Sequence, residues 1–270
     1  MNIRAIALDL DGTLLTGEYK MSDRTIAAVS AFRASGRAVV VATGRACRSG
    51  LPWARRLGGI SAMVCHNGAA VYDFADDDGR LIADTFLPID LVNRVIALSR
   101  RLDLHFHTFA GDDWYFERWG PGTALYEARS GFAGNPVNFD TLPGMRFHKA
   151  IFIAGTDKEF NEVTTAARDV CGDDATLVSS GSRFLEIVPF GVSKATGLAT
   201  WLATRGLTLA DAMAIGDADN DREMILETGL GVAMAEAPAD LRTSAAYVTG
   251  GVDEDGAADA IERFLAGTIT

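Results

Sequence analysis

Ile3-Arg4-Ala5-Ile6-Ala7-Leu8-Asp9-Leu10-Asp11-Gly12-Thr13-Leu14 carries an apolar run straight into a pair of aspartates. Strand side chains alternate with a period of two, so Asp9 and Asp11 are expected to point the same way from one edge of a sheet. Carboxylates that close repel unless a hard cation with oxygen ligands neutralises them. Gly12 and Thr13 let the chain turn sharply away and leave the pair exposed at the strand's end. A polar turn after a buried strand is the competing reading. The rest of the chain decides between them.

Working outward, strand and helix alternate. Residues 3–8 form the strand. Ser22 can cap a helix whose Ile26, Val29 and Phe32 share one face and which stops at Gly36. Residues 37–42 include a run of valines suited to a strand buried on both faces of a parallel sheet. A helix from about Arg45 and a strand over 60–65 complete a β-α-β-α-β order, which implies a doubly wound α/β sheet with right-handed crossovers. At His66-Asn67-Gly68 the pattern changes. Short strands over 69–72 and 80–86 flank the acidic turn Asp76-Asp77-Asp78-Gly79, which reads as solvated.

A separate set follows: helices over 91–102 and 158–170, and strands over 105–109, 114–117, 149–154, 176–179 and 184–188. Residues 84–188 therefore read as an inserted α+β lobe between core segments 1–83 and 189–270. The core resumes with a helix over 193–205 and a strand over 212–215. A helix after Asn220, a strand over 231–234 and a helix over 253–265 end the chain.

The 270 residues, 48% apolar and 23% charged, suit one large domain or a core with a second lobe. A net charge of −11 without a basic stripe argues against nucleic acid or an anionic membrane as partner. Any anionic substrate must be drawn in by a few local cations or a metal. Cys47, Cys65 and Cys171 are odd in number and scattered, which fits a reducing compartment. The first residues lack a signal peptide's pattern, and no run approaches the roughly 20 apolar residues of a membrane span. A cytoplasmic location is expected, as a monomer or homodimer.

Ligands of open parallel sheets gather beyond the carboxyl ends of the strands. Three strands carry polar groups there: the first with Asp9 and Asp11, the second with Thr43-Gly44-Arg45, and a later one with Gly216-Asp217-Ala218-Asp219-Asn220-Asp221. Thr43 and Gly44 open a helix, a natural anion cradle. Between them, Pro189-Phe190-Gly191-Val192-Ser193-Lys194 sets a lysine at a helix start, against the helix dipole. A nearby anion would explain it.

This ordered set, Asp-x-Asp-Gly-Thr-Leu, Ala-Thr-Gly-Arg, Val-Ser-Lys and Gly-Asp-x-x-Asn-Asp, resembles the haloacid dehalogenase-like (HAD) phosphatases. The match is nearest the Cof-type branch, whose Rossmann-like core carries a large C2-type α/β cap inserted between the second and third motifs. Asn67-Gly68-Ala69, Glu186-Ile187-Val188-Pro189, Met224 and Gly231-Val232-Ala233-Met234 add to the match. Two departures are small: Ala195 follows the lysine where many relatives have glycine, and Glu236 stands where asparagine is common.

The resemblance implies a Mg²⁺-dependent phosphatase acting on a small phosphorylated metabolite, a sugar phosphate or similar, with the inserted lobe choosing the leaving group. Asp9 is the implied nucleophile, forming an aspartyl-phosphate, and Asp11 the proton carrier. Asp9, the carbonyl of Asp11 and Asp217 are the implied Mg²⁺ ligands. Thr43, Gly44, Lys194 and Asn220 would bind the transferring oxygens, with Asp221 orienting Lys194 or a water on the metal. In the inserted lobe His105 and His107, two apart on one strand face, and Arg183 are candidate substrate contacts; the plain alternative is a structural polar face for the histidines and packing or surface for Arg183. Two rival functions fit the same scaffold: a phosphomutase or phosphotransferase, and a non-catalytic binding or regulatory protein.

Overall fold

The computed structural model describes residues 2–76, 78–141, 144–179 and 183–269, so Asp77 of the acidic turn lies outside it. The chain begins with β1 (Ala5–Leu8), α1 (Asp23–Ala34), β2 (Ala38–Ala42), α2 (Cys47–Arg55), β3 (Ala62–Cys65), β4 (Ala70–Asp73) and β5 (Arg80–Asp84). Next come α3 (Ile89–Leu102), β6 (His105–Ala110), β7 (Asp113–Phe116), α4 (Pro121–Ser130) and β8 (Asn135–Pro136). β9 (Lys149–Ile153), α5 (Asp157–Cys171), β10 (Ala175–Ser179) and β11 (Phe184–Pro189) follow. The last elements are α6 (Lys194–Ala203), β12 (Ala212–Gly216), α7 (Arg222–Glu227), β13 (Leu230–Ala233), α8 (Ala239–Ser244), β14 (Tyr247–Val248) and α9 (Gly256–Leu265).

Two compact units result. One comprises Met1–Gly44, Gly50–Ala83 and Ser193–Thr270; the other comprises Arg45–Ser49 and Asp84–Val192. The inserted lobe read at 84–188 thus runs on to Val192, whose N–H closes a turn on the Pro189 carbonyl at 3.1 Å. Residues 45–49, read as core, group with the second unit.

The first unit holds an eight-stranded sheet in the order β14-β13-β12-β1-β2-β3-β4-β5. From β14 to β3 neighbouring strands pair in parallel, and β4 turns back antiparallel on β3. The central strands read Ala-Ile-Ala-Leu, Ala-Val-Val-Val-Ala and Ala-Met-Ala-Ile-Gly because helices cover both faces, leaving no position for a polar side chain. On one face Ala195, Leu198, Trp201 and Leu202 of α6 cluster with Ala5, Val40, Val64 and Ala214. The alternate residues Ile6, Leu8, Val39, Val41 and Met63 are fully buried as well. α1 packs on α9 through Phe32 and Phe264, whose rings lie 5.8 Å apart. Ser22 caps α1 as expected, accepting from the Thr25 N–H at 3.0 Å.

In the second unit six strands run β10-β11-β9-β6-β7-β8, antiparallel except for the parallel pair β7 and β8. One face packs Phe106, Phe152, Leu185 and Ile187 against residues of α3 and α5. The other gathers Phe109, Trp114, Phe116, Ile151 and Ile153 with Tyr126 of α4. Four short elements escaped the sequence reading: α4, β8, α8 and β14. α4 opens on Gly120-Pro121-Gly122, turn-like by composition, although a proline is at home in a helix's first turn. α9 starts at Gly256 and not at 253, because Asp255 takes a left-handed φ of 58° and separates it from the turn at 252–254. Among the described residues no helix is long and apolar enough to cross a membrane.

Candidate active site

Strand β1 stops at Leu8, so a turn beyond the strand, and not the strand's pleat, sets Asp9 and Asp11. Leu8 lies in register with Val41 on one side and Ile215 on the other. The ends of β1, β2 and β12 therefore deliver Asp9, Thr43 and Asp217 to one edge of the sheet. The Asp9 N–H donates to the Ile215 carbonyl at 3.1 Å. Beyond it the N–H groups of Leu14 and Leu15 return to the Leu10 carbonyl at 3.0 and 2.7 Å. Gly12 is required twice over: its φ is +89°, and a Cβ there would overlap the Asp217 carboxylate. The Thr13 hydroxyl donates to Asp217 Oδ1 at 2.9 Å, which ties the first loop to the acidic one.

Ser193 caps α6 in a reciprocal box with Thr196, so the next side chain, Lys194, is delivered at the helix's first turn. Lys194 is fully buried. Its Nζ donates to Asp9 Oδ1 at 2.5 Å and to Asp221 Oδ1 at 2.7 Å. These are the anions that its place against the dipole demanded. Asp221 Oδ2 accepts the N–H groups of Asp217 and Ala218, each at 3.1 Å. Gly216 makes room for this, since a Cβ on it would collide with Asp221.

Burial is the main force on Asp9 and Asp217. It lifts Asp9 well above the carboxylate range; Lys194 opposes the rise, while Asp221, Asp217 and Asp11 reinforce it. Asp217 is pushed up to about 7 by burial and then by the charge of Asp221. For Lys194 burial pulls downward, but Asp221 and Asp9 outweigh it and hold the ammonium above its usual value. Carboxylate oxygens of Asp9, Asp217 and Asp221 all lie within 4.8 Å of one another. An all-oxygen cluster with more anions than cations fits a hard divalent cation, and that charge would relieve the repulsion. Both oxygens of Asp221 are already engaged, so Asp9 and Asp217 are the side chains better able to turn toward a cation.

Thr43 is buried, its N–H on the Val64 carbonyl at 2.8 Å and its own carbonyl accepting the Asn67 N–H at 3.1 Å. Asn220 Nδ2 donates to Asn67 Oδ1 at 3.1 Å. Asn67 and Thr13 fall within motifs noted in the sequence but were not among its candidate site residues. For Asn67 the available signal was a His-Asn-Gly turn at the end of a buried strand.

The candidates of the inserted lobe fare differently. His107 is fully buried, its ring 4.1 Å from that of Tyr126 and 5.0 Å from that of Trp114, so it serves as core. His105 meets it through ring nitrogens 3.0 Å apart. Burial lowers His105 to about 4 and holds His107 well below its usual value, His105 adding to the latter. Arg183 is occupied at the start of α5, with Nε on Asp157 Oδ1 at 3.1 Å and Nη1 on the Gly155 carbonyl at 2.5 Å. His107 is thus packed among aromatic rings, whereas Arg183 lies in an exposed ion pair.

The family model for haloacid dehalogenase-like hydrolases matches residues 6–261. The chain belongs to this family, in its Cof-type phosphatase branch. It is 30% identical over 264 residues to an HMP-PP phosphatase of Yersinia pestis, covering 97% of this chain and 95% of the relative. An HMP-PP phosphatase of Serratia proteamaculans is 31% identical over 241 residues, covering 89% and 86%. Among solved structures, a haloacid dehalogenase-like hydrolase of Bacteroides thetaiotaomicron superposes with a TM-score of 0.85 at 28% identity, over 97% of this chain and 99% of that one. A phosphatase of the HAD superfamily from the same organism gives 0.81 at 26% identity, over 97% and 95%. This chain is accordingly an enzyme of the phosphatase kind.

Proposed function

We propose that this protein hydrolyses a small phosphate monoester with the help of Mg²⁺, by way of a phosphorylated Asp9. The observation that carries the reading is Lys194, fully buried between Asp9 and Asp221 at 2.5 and 2.7 Å, with Asp217 in the same cluster. Asp9 and Asp217, with the Asp11 carbonyl, would hold the cation. The chemistry supplied by Mg²⁺ is charge neutralisation, without which a carboxylate and a phosphate dianion repel each other.

Lys194 opposes the rise that burial imposes on Asp9, and one oxygen of the ionised Asp9 carboxylate attacks phosphorus. The bond to the leaving oxygen breaks, and Asp11 gives that oxygen its proton. Asp11 then takes a proton from water as the water attacks the acyl phosphate, which releases phosphate and restores Asp9. The Thr43 hydroxyl, the Gly44 N–H and the Asn220 amide hold the phosphoryl oxygens during both displacements. Asp221 touches no reacting atom; it holds Lys194 and the acidic loop in place.

Sugar phosphates and the substrate class of the 30%-identical relatives, HMP-PP, lead the list of substrates. Phosphate release from p-nitrophenyl phosphate and from a metabolite panel including both, with Mg²⁺ and with EDTA, tests the reading. Release that EDTA abolishes is the expected result. Absence of metal-dependent release from every compound would sink it.

A further inference from the structure

Three successive residues after β3 have positive φ: His66 at 52°, Asn67 at 56° and Gly68 at 110°. Left-handed backbone is costly for residues with a Cβ, though Asn and His tolerate it better than most. Such conformations persist where the surroundings enforce them, often beside functional sites. Here the conformation puts a buried Asn67 between two loops that originate on different strands. Its N–H donates to the Thr43 carbonyl at 3.1 Å. Its Oδ1 accepts from Asn220 Nδ2 at 3.1 Å. The same Oδ1 stands 3.1 Å from where a Cβ on Gly44 would lie, so a side chain there would push the Asn67 amide by a few tenths of an ångström.

An amide side chain has a donating and an accepting end that differ little in shape. Presented to a phosphate, the accepting end repels and the donating end attracts. An acceptor at Asn67 Oδ1 therefore selects the rotamer in which Asn220 shows its NH2 group, leaving one N–H free to point elsewhere.

We propose that Asn67 is a positioning residue for phosphoryl transfer, pinning the Asn220 amide donor-end inward and bracing the Thr43-Gly44 loop against it. The inference rests on the reading of Asn220 and Gly44 as phosphate contacts. Asn67→Gly isolates the side chain, because glycine takes the left-handed φ without strain. With p-nitrophenyl phosphate and Mg²⁺, N67G is expected to lose about tenfold to a hundredfold in kcat/KM, the scale of one hydrogen bond to a charged group. The inhibition constant of inorganic phosphate should rise with it, whereas a merely structural defect lowers the active fraction and leaves that constant alone. In an Asn220→Ala background the further loss from N67G should shrink to about twofold or less, since the two act through one contact.

Wild-type kcat/KM in N67G, an unchanged phosphate inhibition constant, or losses that simply multiply in the double variant would each overturn the proposal. Should N220A alone match wild type, the phosphate role of Asn220 fails and the pinning fails with it. A loss in N220A without one in N67G overturns the pinning only. If N67G does not fold, Asn67→Asp, which tolerates the left-handed φ and keeps an accepting oxygen, should leave the further loss from Asn220→Ala at its full size, and a loss shrunk to about twofold would overturn the pinning.

Discussion

Each unit of this molecule buries a lysine against a carboxylate, yet the two pairs do opposite things. In the second unit Lys149 Nζ meets Glu186 Oε2 at 2.7 Å and lies 5.1 Å from the centre of the Phe109 ring. That pair is neutral in sum and backed by an aromatic face. In the first unit Lys194 meets two carboxylates, with a third, Asp217, within the same cluster. The surplus there is anionic, and burial makes it costly, so Asp9 and Asp217 hold their protons more tightly than ordinary carboxyls do. A buried ion pair by itself marks nothing more than a satisfied core. Charge left over after pairing is what a divalent cation would offset.

The largest effect that could break this contrast is at Asp9. Asp9→Asn keeps the shape and removes the nucleophile, so turnover of p-nitrophenyl phosphate should drop on the order of 10⁴-fold or more. Its melting temperature should hold or rise, because one of several repelling buried carboxylates is gone. Substantial turnover by this variant would end the mechanism.

Next, Lys194→Met and Lys149→Met should diverge. The first should abolish most turnover. The second should leave turnover per folded molecule near wild type but cost about 3–5 kcal/mol in urea unfolding, since Glu186 is stranded. Replacing both members, Lys149→Met with Glu186→Leu, should recover much of that loss. Equal loss of turnover in both lysine variants would erase the distinction drawn between the units.

Smaller again is a pH effect. Asp217, pushed up to about 7, and Asp9, also raised, hold protons more tightly folded than unfolded. Their contribution to stability is complete below the ordinary carboxylate range and is lost as pH rises through the folded values. Thermal melting in EDTA should therefore fall from about pH 5 to about pH 8. Mg²⁺ should raise it most at the alkaline end, where the ionised acids bind the ion. A melting temperature equally indifferent to pH and to Mg²⁺ would speak against the anionic surplus.

The smallest effect should come from the histidine pair. With His105 lowered to about 4 and His107 lower than usual through burial, neither changes charge near neutrality. His107→Phe should leave the pH dependence of kcat unaltered between about pH 6 and about pH 8. An inflection lost in that variant would move His107 from core to catalysis.

Much of the first unit was legible because its signals are local. Continuous apolar strands announce a parallel sheet, Ser22 and Ser193 announce helix starts, and glycines at 12 and 216 mark turns beside acidic loops. The second unit was less legible in its parts. α4 hides behind glycine and proline, and whether His107 or Arg183 is a contact or a packing element depends on neighbours distant in the chain. Even within the motifs, the strand's period placed Asp9 and Asp11 correctly at an edge but for the wrong reason, since β1 ends one residue earlier.

By itself, then, the sequence determined the α/β class, the order of elements and the residue types that make phosphoryl chemistry available, because these follow from periodicity and local backbone preference. Only the tertiary structure decided which charges face one another: that Lys194 lies between Asp9 and Asp221, that Thr13 reaches Asp217, and that Asn67 joins Asn220 to the Thr43 loop. Those contacts join residues up to 204 positions apart, and electrostatic energy depends on distance in space and on burial, neither of which the linear order specifies.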